Sequence, residues 1–188
     1  MTTIFHPFNP TTRPADQIPT WQLLKTFPPE IPRVDWLCVK PFDYHEGLVT
    51  AWQSPGDLIV IEHDNVPTLD QISDMLRCNE ACCTTPYWVG PPSTGQTGSI
   101  VSVNSLNNPP ITSISRSGHQ PNGYTMVRAD HSSIGCIKLS AAWRRLVGLP
   151  TREVWFAVEN SVNIRVAESG QTWHVHWPMC RHNHGTGE

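Results

Sequence analysis

Runs of apolar residues change period along the chain, and each period predicts an element. Residues 34–39 (VDWLCV) form a short apolar run closed by Lys40-Pro41, the pattern of a first strand. Residues 45–53 carry Leu48, Val49 and Trp52 at helical spacing and stop at Ser54-Pro55-Gly56. Residues 57–61 (DLIVI) give the strongest strand signal, apolar at successive positions as in the middle of a parallel sheet covered on both faces. That run ends in Glu62-His63-Asp64. After Pro67, Thr68 and Gln71 make a capping box, and Leu69, Ile72, Met75 and Leu76 supply the apolar stripe of a helix.

Further along, 84–89 and 99–103 read as strands, 113–123 as a loop and 124–128 as another strand. Residues 135–139 (GCIKL) lead into a helix over 140–147 that Gly148 stops. Residues 154–166 follow no single period, while 173–177 (WHVHW) alternate as a strand. Strand–helix alternation in the first half predicts an α/β fold with a mostly parallel central sheet flanked by helices. Residues 1–33, proline-rich and without clear periodicity, read as an N-terminal arm with one helical turn near 21–24. Residues 34–188 read as a single domain.

Composition narrows the class. With 188 residues, 38% hydrophobic and 15% charged, the chain fits one globular domain rather than a disordered one. No apolar run nears the roughly 20 residues of a bilayer span, and residues 1–14 lack a secretory pattern. A cytoplasmic location is therefore expected, and the six cysteines are expected to be thiols. Cys78 and Cys82 could share zinc, but no second pair stands at zinc-finger spacing. The net charge of −3 is uneven: residues 1–115 hold 5 basic and 11 acidic side chains, residues 116–165 hold 7 and 3. The second stretch either faces phosphates or is an ordinary solvated surface.

Open α/β sheets collect ligands beyond the carboxyl ends of their central strands. Glu62 and Asp64 occupy that place, and their i, i+2 spacing points them to one side. Paired carboxylates suit Mg²⁺ or Mn²⁺; the plainer reading has Asp64 opening a turn before Pro67. Four of the nine histidines fall within 174–184, as His174-x-His176 and His182-x-His184, a spacing suited to metal ligation.

The order of these segments (strand, E-x-D, proline, helix, GCIKLS, a Trp/acid segment, then HVHWPMCRHNHG) resembles a compact glycosyltransferase of the GT-A fold. It is similar to the small family-2-like enzymes of actinobacteria and phages, over about residues 34–185. The resemblance implies a minimal GT-A-like catalytic domain that moves a sugar from a nucleotide-sugar donor, UDP-linked first of all, to an acceptor hydroxyl with inversion. It implies Lys40, Pro41, Glu62 and Asp64 as nucleotide-sugar contacts, and Asp64 with His182, then His184 or His176, around Mn²⁺ or Mg²⁺. Glu159, in a segment led by Trp155, matches the position of the general base. The chain departs from the family in its short nucleotide half, in Glu rather than Asp as the first acid, and in Asn160 following Glu159.

The acceptor stays open. A saccharide, a protein or a hydroxymethylated base in phage DNA all fit; the last would need Tyr87, Trp88 and Trp143 as aromatic walls and Arg144 and Arg145 toward phosphate. Two other readings stand beside the transferase. One is a non-catalytic binding or virion protein stapled by zinc through Cys180, His182 and His184. The other is a metal-dependent nuclease built on His174-Val175-His176, although no tyrosine follows residue 124 to serve as its nucleophile.

Overall fold

The apolar run 57–61 becomes the strand on which the sheet is built. The computed structural model describes residues 1–9, 18–89, 98–99, 101–102, 128–152, 155–176 and 180–182. Its first elements are β1 (Thr2–Phe8), α1 (Pro19–Lys25), β2 (Arg33–Leu37), α2 (Asp43–Trp52), β3 (Asp57–Ile61) and β4 (Asn65–Val66). Next come α3 (Leu69–Arg77), β5 (Cys82–Thr84), β6 (Trp88–Val89), β7 (Gly98–Ser99), β8 (Val101–Ser102), β9 (Arg128–Ala129) and β10 (His131–Ser132). The last are β11 (Cys136–Leu139), α4 (Ala141–Val147), α5 (Trp155–Glu168), β12 (Trp173–Val175) and β13 (Arg181–His182).

Among the described residues the main sheet has seven strands in the order β2-β1-β3-β11-β5-β12-β9. β1 runs parallel to β2 and β3, and β12 parallel to β5. β11 is antiparallel to both β3 and β5, which makes β5 run with β3, and β9 opposes β12. The sheet is thus mostly parallel, in a mixed α/β fold, as the sequence predicts.

Alternating side chains of β3 enter two cores. Leu58 and Val60 pack with α2, α4 and α5 through Leu48, Trp143, Val158 and Val162. Ile59 and Ile61 pack with α1 and α3 through Leu24, Ile72 and Met75. A strand pressed from both sides has no place for a polar side chain, which is why this segment reads as an unbroken apolar run. No helix among the described residues is long and apolar enough to cross a membrane.

The helix punctuation acts as expected. Thr68 and Gln71 form the capping box of α3. The Ser140 hydroxyl accepts the Trp143 N–H, and Gly148, at φ +70°, ends α4 in a conformation that glycine adopts without strain.

Three expectations are corrected. Residues 2–8, expected to lie in a wrapping arm, are a strand inside the sheet, with Ile4 and Phe5 buried between β2 and β3. The segment expected to follow no single period, 154–166, is helical from 155 on, within α5, whose valines at 158, 162 and 166 are fully buried at four-residue spacing. The strand expected at 84–89 is divided into β5 and β6, while of that expected at 99–103 the described residues belong to β7 and β8. The loop expected at 113–123 lies outside the described residues.

Arg144 and Trp143, read from sequence as acceptor contacts, also belong to the interior. Arg144 is 2% exposed, and its guanidinium donates to the carbonyls of Ala51, Trp52, Ser54 and Gly56. It thereby satisfies the carbonyls that the C-terminal end of α2 leaves open. Trp143 is buried against Trp52 at a ring distance of 5.8 Å, and its indole N–H donates to Ser169 Oγ. Arg144→Met is expected to destabilise the chain by about 3 kcal/mol, because it strands buried carbonyls, while exposed Arg145→Ala changes stability by less than about 0.5 kcal/mol. Urea unfolding of the two variants measures the contrast.

Candidate functional site

The turn after β3 is held on four sides. The Glu62 N–H donates to the Gly135 carbonyl (2.8 Å), and the Asn65 N–H donates back to the Glu62 carbonyl (3.0 Å). The buried Thr20 hydroxyl of α1 lies 2.6 Å from the Asn65 carbonyl and 3.1 Å from that of His63. β4 then pairs antiparallel with β13, setting His182 opposite Asn65. Gly135 permits this closeness: a Cβ there would fall 2.4 Å from both Asn65 Nδ2 and the Tyr87 hydroxyl.

Three acids meet around the turn. Glu62 and Asp64 come from the turn itself, with Asp64 Oδ1 accepting the Asn65 side-chain amide at 3.1 Å. Glu159 comes from the second turn of α5. Its Oε2 accepts the Ser133 hydroxyl at 2.7 Å, and His131 Nε2 stands 3.6 Å from Oε1. The Tyr87 hydroxyl lies 2.7 Å from Ser133 Oγ. Asn163, one helical turn after Glu159, binds both the N–H and the carbonyl of Ser132 and accepts the Trp173 indole N–H, fixing the 131–133 segment on α5.

The electrostatics of Glu62 follow from this crowding. Burial, then the charge of Asp64, push its carboxyl up to about 8, with Glu159 adding to the rise and the Tyr44 phenol opposing it. Glu62 keeps part of its surface in solvent although protein atoms crowd its carboxyl. Both acids acting on it are of its own sign. Tyr44 and Tyr87 are raised by burial first and by the Glu62 charge second.

Oxygen donors of this kind suit Mg²⁺ or Mn²⁺, and a bound cation would offset the repulsion that raises Glu62. Among the described residues no three of these acids offer ligand atoms within 4.8 Å of one another. A cation here therefore draws on one or two carboxylates, leaving positions for water or phosphate, a common arrangement for Mg²⁺.

Other residues singled out from sequence fall in several places. Lys40 and Pro41 are exposed in the turn after β2, at the same edge of the sheet as Glu62, where Asp43 accepts the N–H groups of Val39 and Lys40. His182 comes to the turn through its backbone, and His184 lies outside the described residues. His176 does not join the acids; its ligand atom lies within 4.8 Å of the sulfurs of Cys78 and Cys83. Tyr87, Trp143 and Arg144 are buried, so none is an accessible wall for an acceptor. Arg145 is exposed, and Trp88 is described by its backbone alone. Sequence reading missed Tyr44, His131, Ser133 and Thr20, which reach the site through tertiary packing; the Gly in S-S-I-G before β11 was the one local hint of a close approach.

No protein-family model matches the chain, and no curated protein is similar enough to match. Among solved structures, A197 from STIV is similar in fold, with a TM-score of 0.57 at 10% identity over 94% of this chain and 82% of that one. A weaker likeness, TM-score 0.48 at 11% identity, spans 95% of this chain and 71% of a Bacillus anthracis protein assigned as a glucose-1-phosphate thymidylyltransferase, solved in complex with a sucrose. The likeness to A197 is one of fold.

The raised Glu62 sets a pH dependence. Between its ordinary 4.5 and about 8 the folded chain keeps a proton that the unfolded chain has released, so stability falls as pH rises through that window. Glu62→Gln is expected to lose this component, so the stability of the variant minus that of the wild type rises by about 1 kcal/mol per pH unit across the window. Chemical denaturation in chelator at a series of pH values measures the difference; a difference independent of pH would show that Glu62 titrates normally.

Proposed function

We propose that the chain is a metal-dependent glycosyltransferase that moves a sugar from a nucleotide-sugar donor, UDP-linked first of all, to an acceptor hydroxyl with inversion. The observation that carries the reading is the meeting of Glu62, Asp64 and Glu159 beyond the carboxyl end of the central strand, where α/β sheets take their ligands. Two of these acids stand two residues apart in the E-x-D segment, and the third arrives from a helix about 95 residues later.

In this reading Asp64, with His182 supplied by β13, holds Mg²⁺ or Mn²⁺. Glu62 faces the nucleotide, and Lys40 and Pro41 contact it from the end of β2, two strands away at the same edge of the sheet. When bound, the cation supplies stabilisation for the negative charge that gathers on the departing diphosphate. Glu159 accepts the proton of the acceptor hydroxyl as that oxygen bonds to the anomeric carbon and the bond to the diphosphate oxygen breaks. Ser133 and His131 orient its carboxylate, and one base of this kind suits a single displacement with inversion. The acceptor reaches Glu159 from the solvent side, where its side chain is 29% exposed.

A non-catalytic, zinc-stapled binding protein is the second reading, favoured by the sulfur–imidazole cluster around His176 rather than by the terminal residues first considered. Cys180 instead packs with Cys136 and Asn65. No observation favours the nuclease, since His176 turns toward two cysteines.

Thermal melting with UDP or GDP, each with Mn²⁺, Zn²⁺ or chelator, separates the readings. The transferase requires one nucleotide to stabilise the chain only with metal, and silence from both nucleotides under every metal sinks it. Asp64→Asn should abolish that stabilisation while leaving the circular dichroism spectrum unchanged. Glu159→Gln should keep nucleotide binding and slow donor turnover by about 100-fold or more.

A further inference from the structure

Away from the acids, three soft or borderline donors converge where α3 ends. Cys78 terminates α3, Cys83 lies on β5, and His176 follows β12. Their ligand atoms all lie within 4.8 Å of one another, the two sulfurs 2.7 Å apart. Cys82, the partner that sequence spacing suggested for Cys78, is not among them. Successive residues of β5 point to opposite faces, and Cys82 enters the core shared with α2 and α5 while Cys83 turns toward Cys78.

His174 extends the cluster. It shares a face of β12 with His176, pairs in register with Cys83, and holds its ring 4.9 Å from that of His176. His174 Nδ1 and His176 Nε2 are both buried and find no hydrogen-bond partner among the described residues. Such atoms are unfavourable in an interior unless something binds them. The three donors of Cys78, Cys83 and His176 already converge on one ligand, and His174, outside that 4.8 Å group, stands next to it with a nitrogen to offer as the fourth.

We propose that Cys78, Cys83, His176 and His174 form a structural zinc site that ties the end of α3 to β5 and β12. Two thiolates and two imidazoles fill the four tetrahedral positions of Zn²⁺, leaving none for substrate, which marks the site as structural. Loading releases the two thiol protons to solvent, and the two sulfur charges then balance the ion. Lys138 stands behind the site, its Nζ donating to the Cys78 carbonyl and lying 3.2 Å from Asp57 Oδ2, so the cysteine backbone is held from the sheet side.

The rival is a Cys78–Cys83 disulfide. Bonded sulfurs stand about 2.05 Å apart, whereas two sulfurs sharing tetrahedral zinc, each about 2.3 Å from it, stand about 3.8 Å apart. The observed 2.7 Å matches neither, so the histidines decide. A disulfide leaves both orphaned nitrogens as they are; zinc gives each a bond.

Cobalt and zinc titration of the full chain, stripped of metal under reducing conditions, tests the site. The wild type should take up a single Co²⁺ with a sulfur-to-cobalt charge-transfer band and tetrahedral visible bands, then exchange it for Zn²⁺ with a rise in melting temperature. Cys83→Ser and His176→Ala should each weaken zinc by more than the roughly 10–100-fold typical of outer-layer losses. Cys82→Ser and Asp64→Asn should titrate as the wild type does, which separates this site from the acids. Absence of the charge-transfer band in the folded wild type overturns the proposal whatever the variants do. So does a chain that binds no zinc and yields Cys78 linked to Cys83, closed to alkylation until reduced.

Discussion

Two apolar layers press on β3 at once, and the rest of the molecule is arranged around that double burial. Between its ends the strand admits no polar side chain, so polarity resumes only where it leaves the sheet. At its start, the Asp57 carboxyl loses solvation but faces the Ala141 N–H at the beginning of α4 and the Lys138 ammonium, which together hold it below the usual carboxylate range. At its finish, Glu62 faces Asp64 and Glu159 and is driven the other way. Two acids five residues apart, one opening the strand and one just beyond it, are thus given opposite character by their surroundings, one quenched as structure and the other left frustrated. Frustration of that kind is costly to a fold and is characteristic of sites that bind or react.

What was legible in the sequence followed from local rules. The runs forming β3, α3 and α4 carry their own period and caps, so each could be recognised without knowing its neighbours. α5 was missed because its buried stripe is valine, a β-branched residue that weakens a helical reading even at four-residue spacing. β1 was missed because proline dominated the reading of a segment whose first eight residues contain an ordinary strand. Glu62 and Asp64 were legible as a candidate site because a central strand pointed to them. Tyr44, Ser133 and His131 were not, since each arrives from an element far away in sequence. Arg144 and Trp143 were misjudged for a related reason: no local pattern separates an arginine that faces phosphate from one that closes a helix end.

Charge and softness divide the chemistry of this chain between two regions. Oxygen donors gather beyond β3 on the α2 and α5 side, while sulfur and imidazole gather at the end of α3 beside β5 and β12. A hard cation and a soft one would therefore sort themselves by donor type rather than compete. His176, grouped from sequence with Asp64, lies instead beside Cys78 and Cys83, because strand alternation, which sets the face a residue serves, cannot be assigned until the strand is placed in a sheet.

The pairing of β4 with β13 also bears on how the molecule comes into being. Asn65 meets His182 at a sequence separation of 117, and contacts of such long range form late, after the closure of smaller loops. During synthesis, which proceeds at roughly 5–20 residues per second, the turn bearing Glu62 and Asp64 emerges well before the strand that braces it. The acids thus wait several seconds on the ribosome without their brace. The site is assembled only when translation reaches β13, so any product cut short before that strand carries the acidic turn without the strand that holds it.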